Sequence, residues 1–197
     1  MSLSLLEKLR EVGKVYYSFE DIKKISGYSS SSVYVVVNRL IGKGKLIRLR
    51  GGIYVLPERY KDIDIIANQI YFPSYLSFES ALSRYGLVSQ IPYTLTFAVF
   101  RKTRKLKLGD YMVEYRMIKR DLFFDYVKLD NGLFIATSEK ALFDMIYISL
   151  FGKVYFDFNR VDVRGLDFDR FRWILRRSGL SRRYIERIKT HPLTPSL

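Results

Sequence analysis

The chain has 197 residues, 48% of them hydrophobic, which is enough for one large domain or two small ones with real cores. It contains no cysteine, and this excludes disulfides, thiolate zinc sites and a cysteine nucleophile. Lys and Arg outnumber Asp and Glu by 34 − 20 = 14, which favours a polyanionic partner over plain solubility as the reason for the charge.

The first 41 residues carry the patterns of three helices. Apolar residues recur at helical spacing over 2–12, so the first helix is predicted there. Ser18 is a favoured N-cap residue and Gly27 a favoured stop, which predicts the second helix between them. A third helix is predicted from Ser29 to Ile41, because serines precede an apolar stripe and a glycine follows it. The run Val35–Val37 would also suit a strand.

A short hairpin follows the third helix. Two β-prone stretches flank Gly51-Gly52, a strong turn signal, and Pro57 closes the segment. Three helices followed by a hairpin predict a winged helix-turn-helix domain over residues 1–58, in which the third helix reads base edges and the hairpin contacts the DNA backbone or a groove. The residues predicted to contact DNA are Ser29, Ser30, Ser31, Ser32, Tyr34, Val35, Asn38, Arg39, Lys45, Arg48, Arg50 and Gly51.

Individual side chains on this surface predict particular contacts. Asn38 is suited to adenine, and Arg39 to guanine or a phosphate. Strand alternation places Arg48 and Arg50 on one face of the hairpin, where they can contact phosphates. The alternatives are a solvated polar face on the third helix and, for the hairpin, charges that guard an exposed strand edge against aggregation.

Residues 59–190 are predicted to form a second, mixed α/β domain, and residues 191–197 an unstructured tail. The expected fold class is therefore α+β. Helices are predicted near 63–70, from a Ser77 cap to 85, from a Ser138 cap to 150, from an Asp167 cap to 177 and from a Ser181 cap to 189; strands are predicted at 93–100, 111–118 and 133–136. Glu139 and Asp144 are expected to be a helix N-terminal charge and a solvated side chain.

Two basic groups lie in this second region. One is a predicted loop from Arg101 to Lys107, and the other lies on the last two helices. The loop can bind nucleic acid, although a solvated connecting loop explains it equally well. The helix arginines can contact DNA, RNA or an acidic protein partner. The residues of this second candidate surface are Arg101, Lys102, Arg104, Lys105, Arg176, Arg177, Arg182 and Arg183.

The sequence offers little for catalysis. The single histidine, His191, lies in the tail without a partner for acid–base chemistry, and no Gly-rich phosphate-binding loop is present. No enzymatic activity, metal or cofactor is therefore expected. The enzyme alternative is a Mg²⁺-dependent nuclease assembled from Glu79, Asp110, Glu114 and Lys119.

No apolar run approaches the roughly 20 residues that span a bilayer. Charged residues interrupt the opening segment, so no secretory signal is predicted there. A cytoplasmic protein without membrane association is expected.

Two segments carry a family resemblance. The first is Ala67-Asn68 followed by PSYLSFESALSRYGL at Pro73–Leu87, and the second is IATSEKALFD at Ile135–Asp144. Together with the preceding RGGIY at Arg50–Tyr54, they resemble the AbiEi-like antitoxins of type IV toxin–antitoxin systems, over about residues 1–150. The apolar side chains of both segments also suit a core, so the segments can be structural.

The resemblance implies a DNA-binding autorepressor of its own promoter, whose C-terminal domain antagonises a nucleotidyltransferase-like toxin directly or indirectly. The leading hypothesis is thus a double-stranded-DNA-binding transcriptional regulator and antitoxin. A nuclease or nucleotidyl-handling enzyme targeted by a winged helix is the second hypothesis. A winged-helix protein-interaction module is the third.

Overall fold

The computed structural model describes residues 4–152 and 154–194 and is an α+β protein. The chain divides into two compact units. The first holds the described residues up to Ala67 together with Lys107–Tyr111, and the second holds the other described residues. The division therefore follows Ala67 rather than residue 58, and the first unit includes a segment that is distant in the sequence.

The first unit begins with three helices and a small sheet. Helix α3 is continuous, so the alternative of a strand at Val35–Val37 is wrong. One face of α3 carries the buried Val33 and Val37, while Val35 is exposed, as expected for an amphipathic helix. The elements are α1 (Leu5–Val12), β1 (Tyr17–Ser18), α2 (Phe19–Ser26), α3 (Ser30–Gly42), β2 (Ile47–Arg50) and β3 (Ile53–Val55).

The three strands form an antiparallel sheet in the order β1-β3-β2. The predicted hairpin is confirmed as β2 and β3, and Gly52 takes the positive φ of 75° that its turn requires. The sheet and helices enclose one core of buried residues, namely Leu5, Leu9, Tyr17, Ile22, Val33, Val37, Leu46, Tyr54 and Leu56.

Serine caps fix the starts of the first three helices. Ser4 and Ser18 each form a capping box, in which the side chains of Glu7 and Asp21 accept hydrogen bonds from the backbone amides of the two serines. Although desolvation opposes the shift, hydrogen bonds from Lys14 and Ser18 lower the pKa of Asp21. The predicted cap at Ser18 and the stop at Gly27, with φ 71°, are confirmed.

The second unit is built on a six-stranded mixed sheet in the order β6-β7-β5-β4-β9-β8. β4 pairs with β5 antiparallel and with β9 parallel, β5 pairs with β7 parallel, and β8 pairs with β9 antiparallel. The strands are β4 (Tyr75–Leu76), β5 (Thr94–Val99), β6 (Arg104–Leu108), β7 (Tyr111–Met117), β8 (Tyr126–Lys128) and β9 (Phe134–Ala136).

Helices cover this sheet and follow the predicted order. α5 packs on β5 and on α6, and α6 packs on α7. The helices are α4 (Ile63–Ile70), which begins in the first unit, α5 (Phe78–Arg84), α6 (Ser138–Ser149), α7 (Phe168–Arg177) and α8 (Arg182–Lys189), with 3₁₀ turns at Pro57–Asp62, Arg120–Leu122 and Phe158–Arg160.

Three predicted caps in this unit are wrong in detail, and one of them, Ser181, stands at the N-cap of α8 without a capping bond. The N-cap of α6 is Thr137, whose hydroxyl accepts from the Lys140 amide at 3.3 Å, and not Ser138. Ser77 stands at the N-cap of α5 but makes no capping bond. Its hydroxyl instead donates to Asp144 at 2.9 Å.

A buried polar cluster lies where α6 meets β4. Lys140 and Asp144 are both fully buried and form an ion pair one helical turn apart. The Tyr75 hydroxyl accepts from Lys140 and donates to Asp144, each at 2.9 Å. Asp144 is therefore not the solvated side chain that was expected, and Glu139, at 5% exposure, is also buried.

The predicted unstructured tail is ordered in its first part. The Thr194 side chain is buried, and its hydroxyl donates to the Ile188 carbonyl at 2.6 Å. The His191 ring packs edge-on against Phe158 at 4.3 Å. Residues 195–197 lie outside the described residues.

Candidate nucleic-acid interface

The basic surface of the first unit lies in one stretch of chain. Between Tyr28 and Pro57 there are five Lys and Arg residues and no Asp or Glu. Two acidic side chains outside this stretch are paired with cations. Glu58 contacts Arg10 at 3.1 Å, and Asp21 contacts Lys14 at 2.5 Å. Positive charge is therefore concentrated on α3 and the β2–β3 hairpin.

All twelve residues predicted to contact DNA are exposed. The first four are the serines at the start of α3. Ser29 caps the helix by accepting from the Ser32 amide at 3.3 Å, and its hydroxyl also lies 3.0 Å from that of Ser31. No acidic side chain lies in the first turn of α3, so the positive end of the helix dipole is not neutralised there.

Tyr34 and Val35 form an apolar part of the same exposed surface. Tyr34 remains 54% exposed and Val35 67% exposed. The Tyr34 ring packs on Phe19 of α2 with a centroid distance of 4.5 Å. This contact fixes the ring while leaving its outer edge accessible, and an accessible ring edge suits contact with a thymine methyl or a phosphate.

The Asn38 side chain already has a hydrogen-bond partner within the first unit. Its side-chain oxygen accepts a hydrogen bond from the Arg48 guanidinium at 2.9 Å. The same guanidinium lies 5.6 Å from the centre of the Tyr54 ring. α3 and the hairpin are therefore connected by side chains at the middle of the surface. Spacing could not reveal this pair, because its members are ten residues apart in different elements.

The hairpin supplies the other cations. Arg48 and Arg50 are exposed with the buried Leu49 between them. A register shift separates their partners, since Arg48 pairs with Tyr54 but Arg50 pairs with Ile53. Such a bulge strengthens the local twist of the strand.

No family model matches the chain, and no curated protein matches it.

Part of the second candidate surface lies on a strand. Arg104 and Lys105 lie on β6, an edge strand of the sheet, and not in a loop. Lys105 contacts Glu114 at 3.0 Å, and Arg104 lies 5.7 Å from the centre of the Tyr71 ring. Each of the two cations thus has a neighbour within the protein.

On the last two helices, all four predicted arginines are exposed. Arg177 lies between the Phe124 and Trp173 rings, 5.1 and 5.7 Å from their centres. A cavity of about 230 Å³ between α7 and α8 is lined by Arg172, Leu175, Arg176, Ile185 and Lys189.

The acidic residues of the nuclease hypothesis are held by cations or hydroxyls. Arg116 bonds Glu79 at 2.6 Å and Glu114 at 2.9 Å. Asp110 accepts from the Tyr60 hydroxyl at 2.7 Å. Within the ranges that the structure describes, no three His, Asp or Glu side chains are grouped to hold a metal ion.

Among the described helices, none is long and apolar enough to cross a bilayer.

Proposed function

We propose that the first unit is a winged helix-turn-helix domain and that the protein is a DNA-binding transcriptional regulator. The observation that carries the proposal is the segregation of charge: the stretch from Tyr28 to Pro57 is wholly free of acidic residues and includes the helix and hairpin that would face DNA. A polyanion is the partner that such a surface fits.

The order of elements supports the same proposal. A helix capped by small serines can enter a major groove closely, and a hairpin beside it can follow the backbone. Here α3 begins with four exposed serines, and the hairpin carries Arg48 and Arg50. The exposed Tyr34 and Val35 add the apolar contacts that base edges accept.

The biological role that we propose is that of an antitoxin. The segments Pro73–Leu87 and Ile135–Asp144 resemble those of AbiEi-like antitoxins, and their side chains meet in the second unit through Tyr75, Ser77 and Asp144. The protein would then repress its own promoter and oppose a nucleotidyltransferase-like toxin. It needs no catalytic residue for either task.

Gel shifts test the regulator proposal. The full chain should bind duplex DNA from upstream of its own gene better than random duplex of equal length. Absence of this preference in every upstream fragment would refute the proposal, whereas salt-dependent duplex binding would argue against a protein-interaction module. Co-expression with the product of a neighbouring reading frame tests the antitoxin role, which fails if that product's toxicity is unchanged.

Replacing both hairpin arginines tests the docking geometry. Arg48→Ala/Arg50→Ala should weaken binding to random duplex and reduce the slope of log K against log salt by about one to two units, because up to two phosphate contacts are lost. The control is Arg120→Ala/Lys128→Ala, which removes equal charge from exposed positions of the other unit outside both candidate surfaces and should leave the slope unchanged. Equal slopes for the wild type and the hairpin variant would place the hairpin away from the DNA.

A further inference from the structure

Asn38 and Arg48 form a polar pair at the centre of the proposed DNA surface. Both side chains are exposed, and the Arg48 Nη2 donates to the Asn38 Oδ1 at 2.9 Å. The guanidinium is also held beside the buried Tyr54 ring at 5.6 Å. Arg48 thus has a defined position, set by one residue of α3 and one of β3.

The chemistry of the pair fixes the orientation of the amide. A guanidinium has five N–H donors and no acceptor, so only the oxygen of Asn38 can face it. The Asn38 nitrogen, with two N–H groups, is left for another partner. Together with the remaining N–H groups of Arg48, the pair offers mainly hydrogen-bond donors, because one of the two lone pairs of its acceptor oxygen is already engaged.

A surface of donors distinguishes the purines in the major groove. Guanine presents two acceptors there, N7 and O6, whereas adenine presents one acceptor and the N6 amino donor. A free asparagine matches adenine because it offers one donor and one acceptor. With one lone pair of its oxygen engaged by the Arg48 cation, Asn38 is a poorer acceptor for the adenine amino group, and that match is weakened.

We infer that Arg48 is a positioning residue that orients the Asn38 amide, and that the Asn38–Arg48 pair selects guanine over adenine at one position of the operator. This inference rests on the proposed DNA-binding function and specifies how that surface reads sequence. It makes the arginine of the hairpin a determinant of specificity as well as a source of charge.

Selection from a randomised duplex library tests the inference with the full chain. Wild type should enrich guanine at one position, with a preference over adenine of about tenfold, equivalent to about 1.4 kcal/mol. Arg48→Ala should shift that position toward adenine, because the amide oxygen is released. Asn38→Ala should remove purine discrimination there. The matched control is Arg50→Ala, two residues along the same strand, which should weaken all sequences alike and leave the selected motif unchanged.

The outcomes separate the inference from the proposed function. If Arg48→Ala weakens binding but selects the same motif as wild type, Arg48 is only a phosphate contact and the inference fails while DNA binding stands. If the position that Asn38→Ala relaxes is adenine in the wild type, the inference fails as well. If no sequence is enriched by the wild type, the proposed function fails and the inference with it.

Discussion

At the scale of single residues, the Lys140–Asp144 pair is buried and held by several neighbours. Burial raises the pKa of the Asp144 carboxyl and lowers the pKa of the Lys140 ammonium, while the attraction between the two charges opposes both shifts. Hydroxyls of Tyr75 and Ser77 occupy the other positions around the carboxylate. A buried charge needs partners of this kind, because its desolvation is otherwise uncompensated.

Removing one partner should therefore be costly. Lys140→Met leaves Asp144 buried without a cation, and the free energy of unfolding should fall by about 3–5 kcal/mol. Urea unfolding measures this change. Lys140→Met/Asp144→Asn should be less destabilised than the single variant, because no charge remains buried. Lys102→Met, at an exposed site, is the control and should change stability by less than about 0.5 kcal/mol. Equal losses in the Lys102 and Lys140 variants would contradict a buried ion pair.

The sequence indicates that this pair is buried, but the spacing of its two residues does not. Lys140 and Asp144 are four residues apart, as are many solvated helix pairs. The surrounding residues of α6 are apolar on all sides, however, and a helix that is apolar all round is buried. Charges on such a helix are expected to be buried and paired. The Asn38–Arg48 contact had no comparable signal, because it depends on how the hairpin packs on α3.

At the scale of elements, the amino-acid pattern predicted helices far better than short strands. The helices begin and end near the expected residues because caps and apolar stripes are local. β1, β4 and β8 have only two or three residues and were not predicted, since such short strands depend on their pairing partners; β3 and β9 are as short, but a Gly-Gly turn and an apolar run marked them. β6 was mistaken for a loop because of its charges, although the alternating burial of Leu106 and Leu108 is typical of a half-buried strand.

Two serines at the N-termini of helices offer a matched test of capping. Ser18 caps α2 with a hydrogen bond to the Asp21 amide at 3.0 Å, whereas Ser181 stands at the N-cap of α8 without such a bond. Ser18→Ala should lower the free energy of unfolding by about 1 kcal/mol, and Ser181→Ala by clearly less. Thermal or urea unfolding compares them. A larger loss for Ser181→Ala would show that the caps are ranked incorrectly.

The ion network of β6, β7 and α5 predicts a dependence on pH. Desolvation opposes the shift, but bonds from Lys105 and Arg116 lower the pKa of Glu114 below its ordinary value of 4.5. A carboxylate with a lowered pKa stabilises the folded state above its unfolded pKa, and this contribution is lost as pH falls through the folded value.

The test is a comparison of wild type with Glu114→Gln. Wild type should be the more stable at neutral pH, and the difference should hold down to the ordinary carboxyl pKa of 4.5 and shrink as pH falls further and Glu114 becomes protonated. Glu186→Gln on α8 is the control, because that side chain is 57% exposed and an exposed ion pair contributes little. A difference that stays constant below the ordinary carboxyl pKa would mean that Glu114 does not titrate differently in the folded state.

At the scale of the whole molecule, the first unit is completed by a segment from much later in the chain. The Gly109 amide donates to the Leu49 carbonyl at 2.9 Å, and the Asp110 carboxylate accepts from the Tyr60 hydroxyl at 2.7 Å. All four residues belong to the first unit. The composition and the motifs predicted two domains, but they could not predict this insertion, because nothing local marks residues 107–111 as belonging with the N-terminal helices.

Gly109 is the position at which this segment can be tested. Its φ is 58°, and a Cβ there would lie 2.7 Å from the Tyr60 hydroxyl oxygen. Gly109→Ala should lower the melting temperature more than Gly179→Ala, which has a similar φ of 60° but open space around it. Backbone strain of about 1–2 kcal/mol is common to both variants, so the difference reports the displacement of Tyr60 from Asp110. Equal melting temperatures would mean that Tyr60 moves aside without loss.

The discontinuity of the first unit also sets an order of events during synthesis. Domains generally fold as they emerge, N-terminal first, but here the helix with the four serines belongs to a unit whose last segment, Lys107–Tyr111, is made only after β4, α5 and β5. A nascent chain therefore cannot finish its first unit before much of the second unit's sheet has been translated. A polypeptide that stops at Ala67 carries the basic surface but lacks Lys107–Tyr111, the last segment of the first unit.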